Sequence, residues 1–180
     1  ATLCNRAVVK LVTAQTLSIE RCQVPWNIAN TSTITRDATI YKDGDASLKV
    51  VKASPANSTL YSWIVTAGSL NLSTWNKLSF WIRNETAIVA NQWSVCLCSG
   101  ADGTGVQNTF KIPAIPSTGR WLPLTLSAEE GTTLYNGIQS IAIYSGSSAG
   151  TTTGIYFNNF IACTTNGLNL QSLISKNTLV

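Results

Sequence analysis

Short segments in which large apolar side chains alternate with small or polar ones constrain this chain more than any other feature. Residues 78–83, 93–98 and 138–144 keep the alternation over six or seven positions, which places one set of side chains on each face of an extended strand. Residues typical of turns, chiefly Gly, Ser and Asn, follow each segment. We therefore predict strands of a sheet with a buried face, with 78–83 at its centre and the other two segments as partners.

The same pattern recurs along the chain at the spacing of about 8–12 residues that is typical of a β-sandwich. Further strand candidates are residues 7–12, 17–22, 33–41, 46–52, 60–65, 109–112, 121–126 and 154–162. Pro123 lacks a backbone donor, so the strand that contains it is predicted to lie at a sheet edge. No stretch keeps a helical period over three turns. The predicted fold class is all-β, a β-sandwich of roughly ten short antiparallel strands.

Composition limits the function classes. The chain has 180 residues, of which 44% are hydrophobic and 11% charged, with a formal charge of +4. Because the basic residues are spread out rather than clustered, we expect no nucleic-acid partner. No apolar run approaches eighteen residues, so we expect no membrane partner either.

Cysteine and histidine usage speaks against metal and nucleophile chemistry. Five cysteines are present, Cys4, Cys22, Cys96, Cys98 and Cys163, and there is no histidine. Cys96 and Cys98 share strand parity and should face the same side, which favours reduced thiols used as small apolar residues in a reducing cytoplasm. Without histidine, a zinc site or a Ser-His or Cys-His nucleophile is not expected. The adjacent pair Glu129 and Glu130 is more simply a solvated surface than a glycosidase pair, so we predict no enzyme.

The C-terminal residues differ from the rest. We assign residues 1–165 to the sandwich domain and 166–180 to a tail or the start of a linker. Leu168, Leu170, Leu173 and Ile174 place apolar side chains after the point where the sandwich should be closed. Such an end either docks on a partner or continues into a longer polypeptide, and we favour the second explanation.

Four segments in this order, 43–50, 78–83, 138–144 and 155–160, resemble the galactose-binding-like jelly rolls, a group that includes many carbohydrate-binding modules. The resemblance covers about residues 18 to 163 and implies a jelly-roll β-sandwich; fold likeness alone is only suggestive of function. The flanks, from residue 3 to 27 and from 167 to 178, resemble those of large structural proteins of tailed bacteriophages.

The resemblance to the jelly rolls implies two kinds of site. One is a structural calcium, with Glu20 and Asn158 as donors from the first and closing strands and with Asp43 and Asp45 as alternative ligands; the competing explanation is an ordinary β-turn at 43–45. No other cofactor is expected. The other is a sugar site built on exposed rings, for which the candidates are Trp26, Trp63, Trp75 and Trp93. A tryptophan on a strand is more often part of the core than a sugar platform, and we expect the core role for Trp81.

Two functions follow from these resemblances. The leading hypothesis is a non-enzymatic structural protein of a bacteriophage virion, a capsid decoration or tail component that contacts other virion proteins and forms homo-oligomers. It would be located in the virion and assembled in the host bacterial cytoplasm. The alternative is a carbohydrate-binding module, on a phage adhesin or beside a secreted hydrolase, with a glycan as its partner.

Overall fold

The computed structural model describes residues 16–29, 33–52, 59–131, 133–146 and 152–164, and over these ranges the protein is a β-sandwich without helices. Eleven strands follow one another: β1 Thr16–Glu20, β2 Asn27–Ile28, β3 Thr33–Asp37, β4 Ser47–Lys52, β5 Leu60–Asn71, β6 Lys77–Asn84, β7 Trp93–Cys98, β8 Val106–Lys111, β9 Leu122–Ser127, β10 Asn136–Ser145 and β11 Thr152–Cys163. The described part of the chain therefore offers no helix that could cross a membrane.

The strands form two antiparallel sheets. The six-stranded sheet has the order β3-β4-β11-β6-β9, with β1 also paired to β11, and the five-stranded sheet has the order β2-β5-β10-β7-β8. This arrangement confirms the predicted all-β jelly-roll sandwich.

The core lies between the two sheets and is built from the inward face of each central strand. The largest fully buried side chains in this core are Trp93, Tyr61, Phe80, Phe110, Phe157, Phe160, Leu48, Leu72, Leu78 and Ile82. Phe80 packs on Phe160 with the ring centroids 5.1 Å apart, and Tyr61 meets Trp93 edge to face at 5.3 Å. Complete burial of each such side chain contributes about 1.5–3 kcal/mol, so this aromatic layer is a main source of stability.

The pairing predicted for the central strand is wrong. β6 pairs with β11 and β9 in the six-stranded sheet, whereas β7 and β10 pair with each other in the five-stranded sheet. The period-2 pattern places side chains on faces but carries no information about which strands are neighbours. Strands on opposite sides of one core therefore look alike in sequence.

Several strand bounds also differ from the sequence prediction. β5 extends beyond the predicted residues 60–65 and continues through Gly68, which has a φ of 92°, to Asn71. Its register with β10 shifts near that glycine, as expected of a bulge that keeps a strand going. β9, which contains Pro123, lies at a sheet edge as predicted. The predicted strand 7–12 and the tail 166–180 lie outside the described residues.

The closing strand β11 organises one end of the six-stranded sheet. On one side it pairs first with β4 and then with β1, and on the other side it pairs with β6. The register with β6 shifts between Asn158 and Ile161, and Asn159 has a φ of 54°. Next to this bulge, the side chain of Asn158 forms hydrogen bonds with the residue that follows β1 and with the turn before β4.

Candidate functional site

The outer face of the five-stranded sheet has a row of small side chains at its centre. Ala142 of β10 lies between Trp63 of β5 and Cys96 of β7, and Cys96 pairs in turn with Thr109 of β8. Cys96, Cys98 and Ala142 form a small cluster separate from the main core, with Leu60, Trp63 and Tyr144 packed against it. Small residues flanked by larger ones make a trough in the surface of the sheet.

This trough deepens into a groove of about 470 Å³. That volume falls within the usual range for small-molecule sites, about 300–1,000 Å³. Its lining is rich in hydroxyl and amide groups and consists of Asn91, Ser94, Cys96, Val106, Thr109, Lys111, Tyr144, Ser145 and Gly146. We call it the outer groove.

Tyr144 is the aromatic side chain of the outer groove, and it is held in place. Its hydroxyl donates a hydrogen bond to the carbonyl of Gly103 at 2.7 Å. Burial, followed by the neighbouring Cys98 and Cys96, raises the pKa of the Tyr144 hydroxyl to about 12. The phenol is therefore neutral at physiological pH, and its ring is fixed before any ligand arrives.

The loop of residues 99–105 packs on the outer face of the five-stranded sheet next to Tyr144. Gly103 donates its backbone N–H to Ser140 Oγ at 3.2 Å, and Cys98 Sγ donates to the carbonyl of Gly103 at 3.3 Å. A Cβ at Gly103 would lie 2.8 Å from that of Trp63, so the loop backbone rests directly on the sheet. These contacts attach the loop to β5, β7 and β10.

Charges at the rim of the outer groove are already paired. Lys111 Nζ lies 2.8 Å from Glu129 Oε1, and the backbone N–H of Thr109 donates to Glu130 Oε2 at 2.7 Å. Both glutamates at 129 and 130 are thus engaged with β8. The groove therefore presents neutral polar groups together with apolar surface to a ligand.

The floor of the outer groove carries an unreactive thiol. Cys96 is 3% exposed, and burial raises the pKa of its thiol well above the usual value. Burial likewise raises the pKa of Cys98 to about 12. Because nucleophiles and metal ligands are thiolates, these two side chains serve as small apolar residues of the outer face, and their shared cluster agrees with the prediction that they face the same side.

The four predicted sugar-binding tryptophans are not brought together. Trp26 and Trp93 are 4% and 0% exposed and belong to the main core. For these two rings the core role is therefore correct, rather than sugar binding. Trp75 is partly buried against the same core. Trp63 alone lies on the outer face of the five-stranded sheet, beside the outer groove.

Sequence reasoning missed the groove residues, above all Tyr144, Ser94 and Thr109. A weak signal for them exists, because the small residues of β7 and β10 fall at alternate positions and so share one face. Nothing in the pattern says whether that face is open to solvent.

A second group of rings lies on the outer face of the six-stranded sheet, where cationic side chains cover it. Lys42 Nζ lies 4.6 Å above the ring of Trp81, and Lys49 Nζ lies 5.2 Å above that of Tyr156. Trp121 meets Tyr156 edge to face at 6.5 Å. Trp81 is 8% exposed, but it belongs to a small cluster with Ile161 rather than to the core between the sheets.

The residues predicted as calcium ligands lie around the end of β1. Asn158 is fully buried, and its Oδ1 accepts a hydrogen bond from the backbone N–H of Asp43 at 3.0 Å. Asp43 and Asp45 each form an ion pair with an arginine. Glu20 Oε1 accepts the backbone N–H of Cys22 at 2.7 Å, and burial raises the pKa of this carboxyl. No group of three or more acidic or cysteine side chains that could hold a metal ion occurs among the residues described.

The sequence matches no known protein-family model and no curated protein. The fold is similar to that of the K1 cleaved adhesin domain of Lys-gingipain from Porphyromonas gingivalis, with a TM-score of 0.52 and 16% identity over 82% of this chain and 97% of that one. It is also similar to a family 11 carbohydrate-binding module from Clostridium thermocellum in complex with a β-1,3-1,4-mixed-linked tetrasaccharide, with a TM-score of 0.51 and 12% identity over 82% and 94% of the two chains. An arabinose-bound α-L-arabinofuranosidase matches with a TM-score of 0.52 and 16% identity over 83% of this chain but only 25% of that enzyme.

At these identities the likeness concerns the fold. It places the chain in the class of β-sandwich domains that is shared by carbohydrate-binding modules and adhesin domains.

Proposed function

We propose that this domain is a non-catalytic glycan-binding module whose ligand lies in the outer groove of the five-stranded sheet. The observation that carries the proposal is the immobilised ring of Tyr144 beside a row of neutral hydroxyl groups. A ligand with one apolar face and a rim of hydroxyls suits such a surface.

The chemistry of the groove fits a neutral sugar. The Tyr144 ring can pack against the apolar C–H face of a pyranose, while the hydroxyls of Ser94 and Thr109 can exchange hydrogen bonds with the sugar's own. The ring is already anchored to Gly103, so little conformational entropy is lost when a ligand binds. With Lys111 neutralised by Glu129, we expect no strong preference for acidic sugars.

The comparison of folds supports the same proposal. The carbohydrate-binding module of similar fold is a domain of almost the same extent, and it holds an oligosaccharide. This likeness raises the expectation of glycan binding in general, and it does not identify which glycan.

Catalysis has little support. The sequence contains no histidine, and the adjacent acidic pair, Glu129 and Glu130, is held by Lys111 and by the backbone of β8. A glycosidase needs two carboxylates that flank one bond. We therefore infer binding without turnover.

Assembly into a bacteriophage virion stays a prediction. The flanking segments that favoured it run from residue 3 to 27 and from 167 to 178, and most of these residues lie outside the described ranges. The homo-oligomer and the virion location likewise stay predictions. The available support favours glycan binding.

Titration calorimetry with a panel of oligosaccharides tests the proposal. The panel should contain the mixed-linkage β-1,3-1,4 tetrasaccharide together with neutral and acidic oligosaccharides. We expect saturable binding of a neutral member, and Tyr144→Ala should weaken it at least about fivefold, because a central aromatic contact is worth more than about 1 kcal/mol. Tyr135→Ala is the matched control, since Tyr135 is 46% exposed and does not line the groove.

Two outcomes would count against the proposal. One is the absence of saturable binding for every member of the panel. The other is binding that Tyr135→Ala and Tyr144→Ala weaken equally, which would place the ligand elsewhere.

A further inference from the structure

Three backbone carbonyls converge where the end of β1 meets the turn before β4. The carbonyl oxygens of Arg21, Asp43 and Ala46 lie 3.1, 3.4 and 3.4 Å from Nε2 of Gln23. A ring of carbonyl oxygens is the kind of surface on which a hard cation such as calcium is bound in proteins. Here the centre of the ring is taken by an amide N–H₂ group of the chain itself.

A second carboxamide closes the same ring from the side of β11. Asn158 Nδ2 donates to the carbonyls of Ala46 and Arg21 at 2.8 and 3.2 Å. Its Oδ1 accepts the backbone N–H of Asp43 at 3.0 Å. The amide nitrogen therefore faces hydrogen-bond acceptors and the amide oxygen faces a donor. Gln23 repeats the arrangement, because its Oε1 accepts the backbone N–H of Asp45 at 3.0 Å.

The carboxylates around this ring are used by other partners. Asp43 Oδ2 lies 3.5 Å from the guanidinium of Arg21, and Asp45 Oδ2 lies 2.9 Å from that of Arg36. Both aspartates therefore have a cationic partner, and the carboxylate of Glu20 accepts the backbone N–H of Cys22. The donor set does not fit the structural calcium that the fold family implies, since calcium takes 6–8 oxygens with carboxylates among them.

We propose that two carboxamides, Gln23 and Asn158, take the place of a metal ion and hold the end of β1, the 43–46 turn and β11 together. We call this group the carboxamide clasp. It lies on the six-stranded sheet and does not depend on the glycan-binding proposal. Its consequence is a β-sandwich whose stability is indifferent to calcium and to chelators.

Thermal unfolding of the unaltered protein tests the clasp directly. A ligand that binds the folded state must raise Tm. Because the clasp leaves no site for calcium, we expect the same Tm in 1 mM EDTA and in 5 mM CaCl₂. Amide hydrogen exchange supplies a second readout. The N–H groups of Asp43 and Asp45, bonded to the two carboxamides, should be equally protected under both conditions.

Asn158→Asp replaces one of the two amide donors of the clasp by a carboxylate oxygen. In EDTA the new carboxylate faces the carbonyls of Ala46 and Arg21, and we expect Tm to fall by about 5 °C or more, because each carbonyl loses one of its two amide donors and meets a negatively charged oxygen instead. Calcium should restore part of the loss. Asn71→Asp is the matched control, since Asn71 is exposed and uses only its Oδ1, as acceptor for Ser73, so its Tm should stay near that of the unaltered protein in both solutions.

The proposal is overturned if EDTA lowers the Tm of the unaltered protein, or if calcium raises it in a saturable way. It is also overturned if Asn158→Asp is as stable in EDTA as Asn71→Asp. If Asn158→Asp does not fold, the chelator and exchange measurements on the unaltered protein still decide the matter. Loss of glycan binding in the panel experiment would leave all these results unaffected.

Discussion

At the scale of single residues, the tryptophans show where sequence reasoning reaches its limit. Trp93 and Trp63 both occupy strands of the five-stranded sheet, yet the first is fully buried in the core and the second lies on the outer face. Alternation assigns side chains to two faces but does not say which face is inward. On β7 even that signal fails, because all six residues are buried, the outward-facing Ser94, Cys96 and Cys98 included.

The buried thiols give a residue-scale prediction. Burial raises the pKa values of Cys22, Cys96 and Cys98, so their thiolate fractions at pH 8 should be far below those of free cysteine. We expect iodoacetamide to alkylate these three side chains slowly in the folded protein and rapidly in 6 M guanidinium chloride, as measured by peptide mass spectrometry. Rapid native alkylation of Cys96 would contradict the closed floor of the outer groove.

At the scale of elements, the strands themselves were predictable and their partners were not. Residues 93–98 were predicted to be the strand that the structure shows as β7, because turn-forming residues bound it sharply. The assignment of β6 to the opposite sheet could not be predicted, since pairing depends on contacts between residues far apart in the chain. The clasp was hidden for the same reason, because Asn158 and Asp43 meet across 115 positions.

The turn at Gly44 gives an element-scale prediction. Gly44 has a φ of 76°, and a Cβ there would lie 2.2 Å from Nε2 of Gln23. Gly44→Ala should therefore lower the free energy of unfolding by more than the roughly 1–3 kcal/mol expected from a left-handed backbone alone, as measured by urea denaturation.

Gly68→Ala is the control for that measurement. Gly68 has a φ of 92°, but no atom lies within 4 Å of the added Cβ, so it shares the backbone penalty without the collision. Equal losses of stability for the two variants would show that the 43–46 turn does not close around Gln23.

At the scale of the whole molecule, the two sheets carry different features. The six-stranded sheet carries the carboxamide clasp and a set of rings covered by lysines, whereas the five-stranded sheet presents the outer groove. The fold class could be predicted from the spacing of the strands and from the four segments that resemble the galactose-binding-like jelly rolls. The groove could not be predicted, because it depends on which face of β7, β8 and β10 stays open and on a loop that folds back over Trp63.

The location of the ligand is the central claim, and an NMR titration tests it most directly. Protein labelled with ¹⁵N would be titrated with the oligosaccharide that binds most tightly in the calorimetric panel, and backbone amide shifts would be mapped onto the strands. We predict that the largest shifts fall in β7, β8 and the second half of β10, around Ser94, Thr109 and Tyr144. Shifts centred on Trp81, Trp121 and Tyr156 of the opposite sheet would contradict the account.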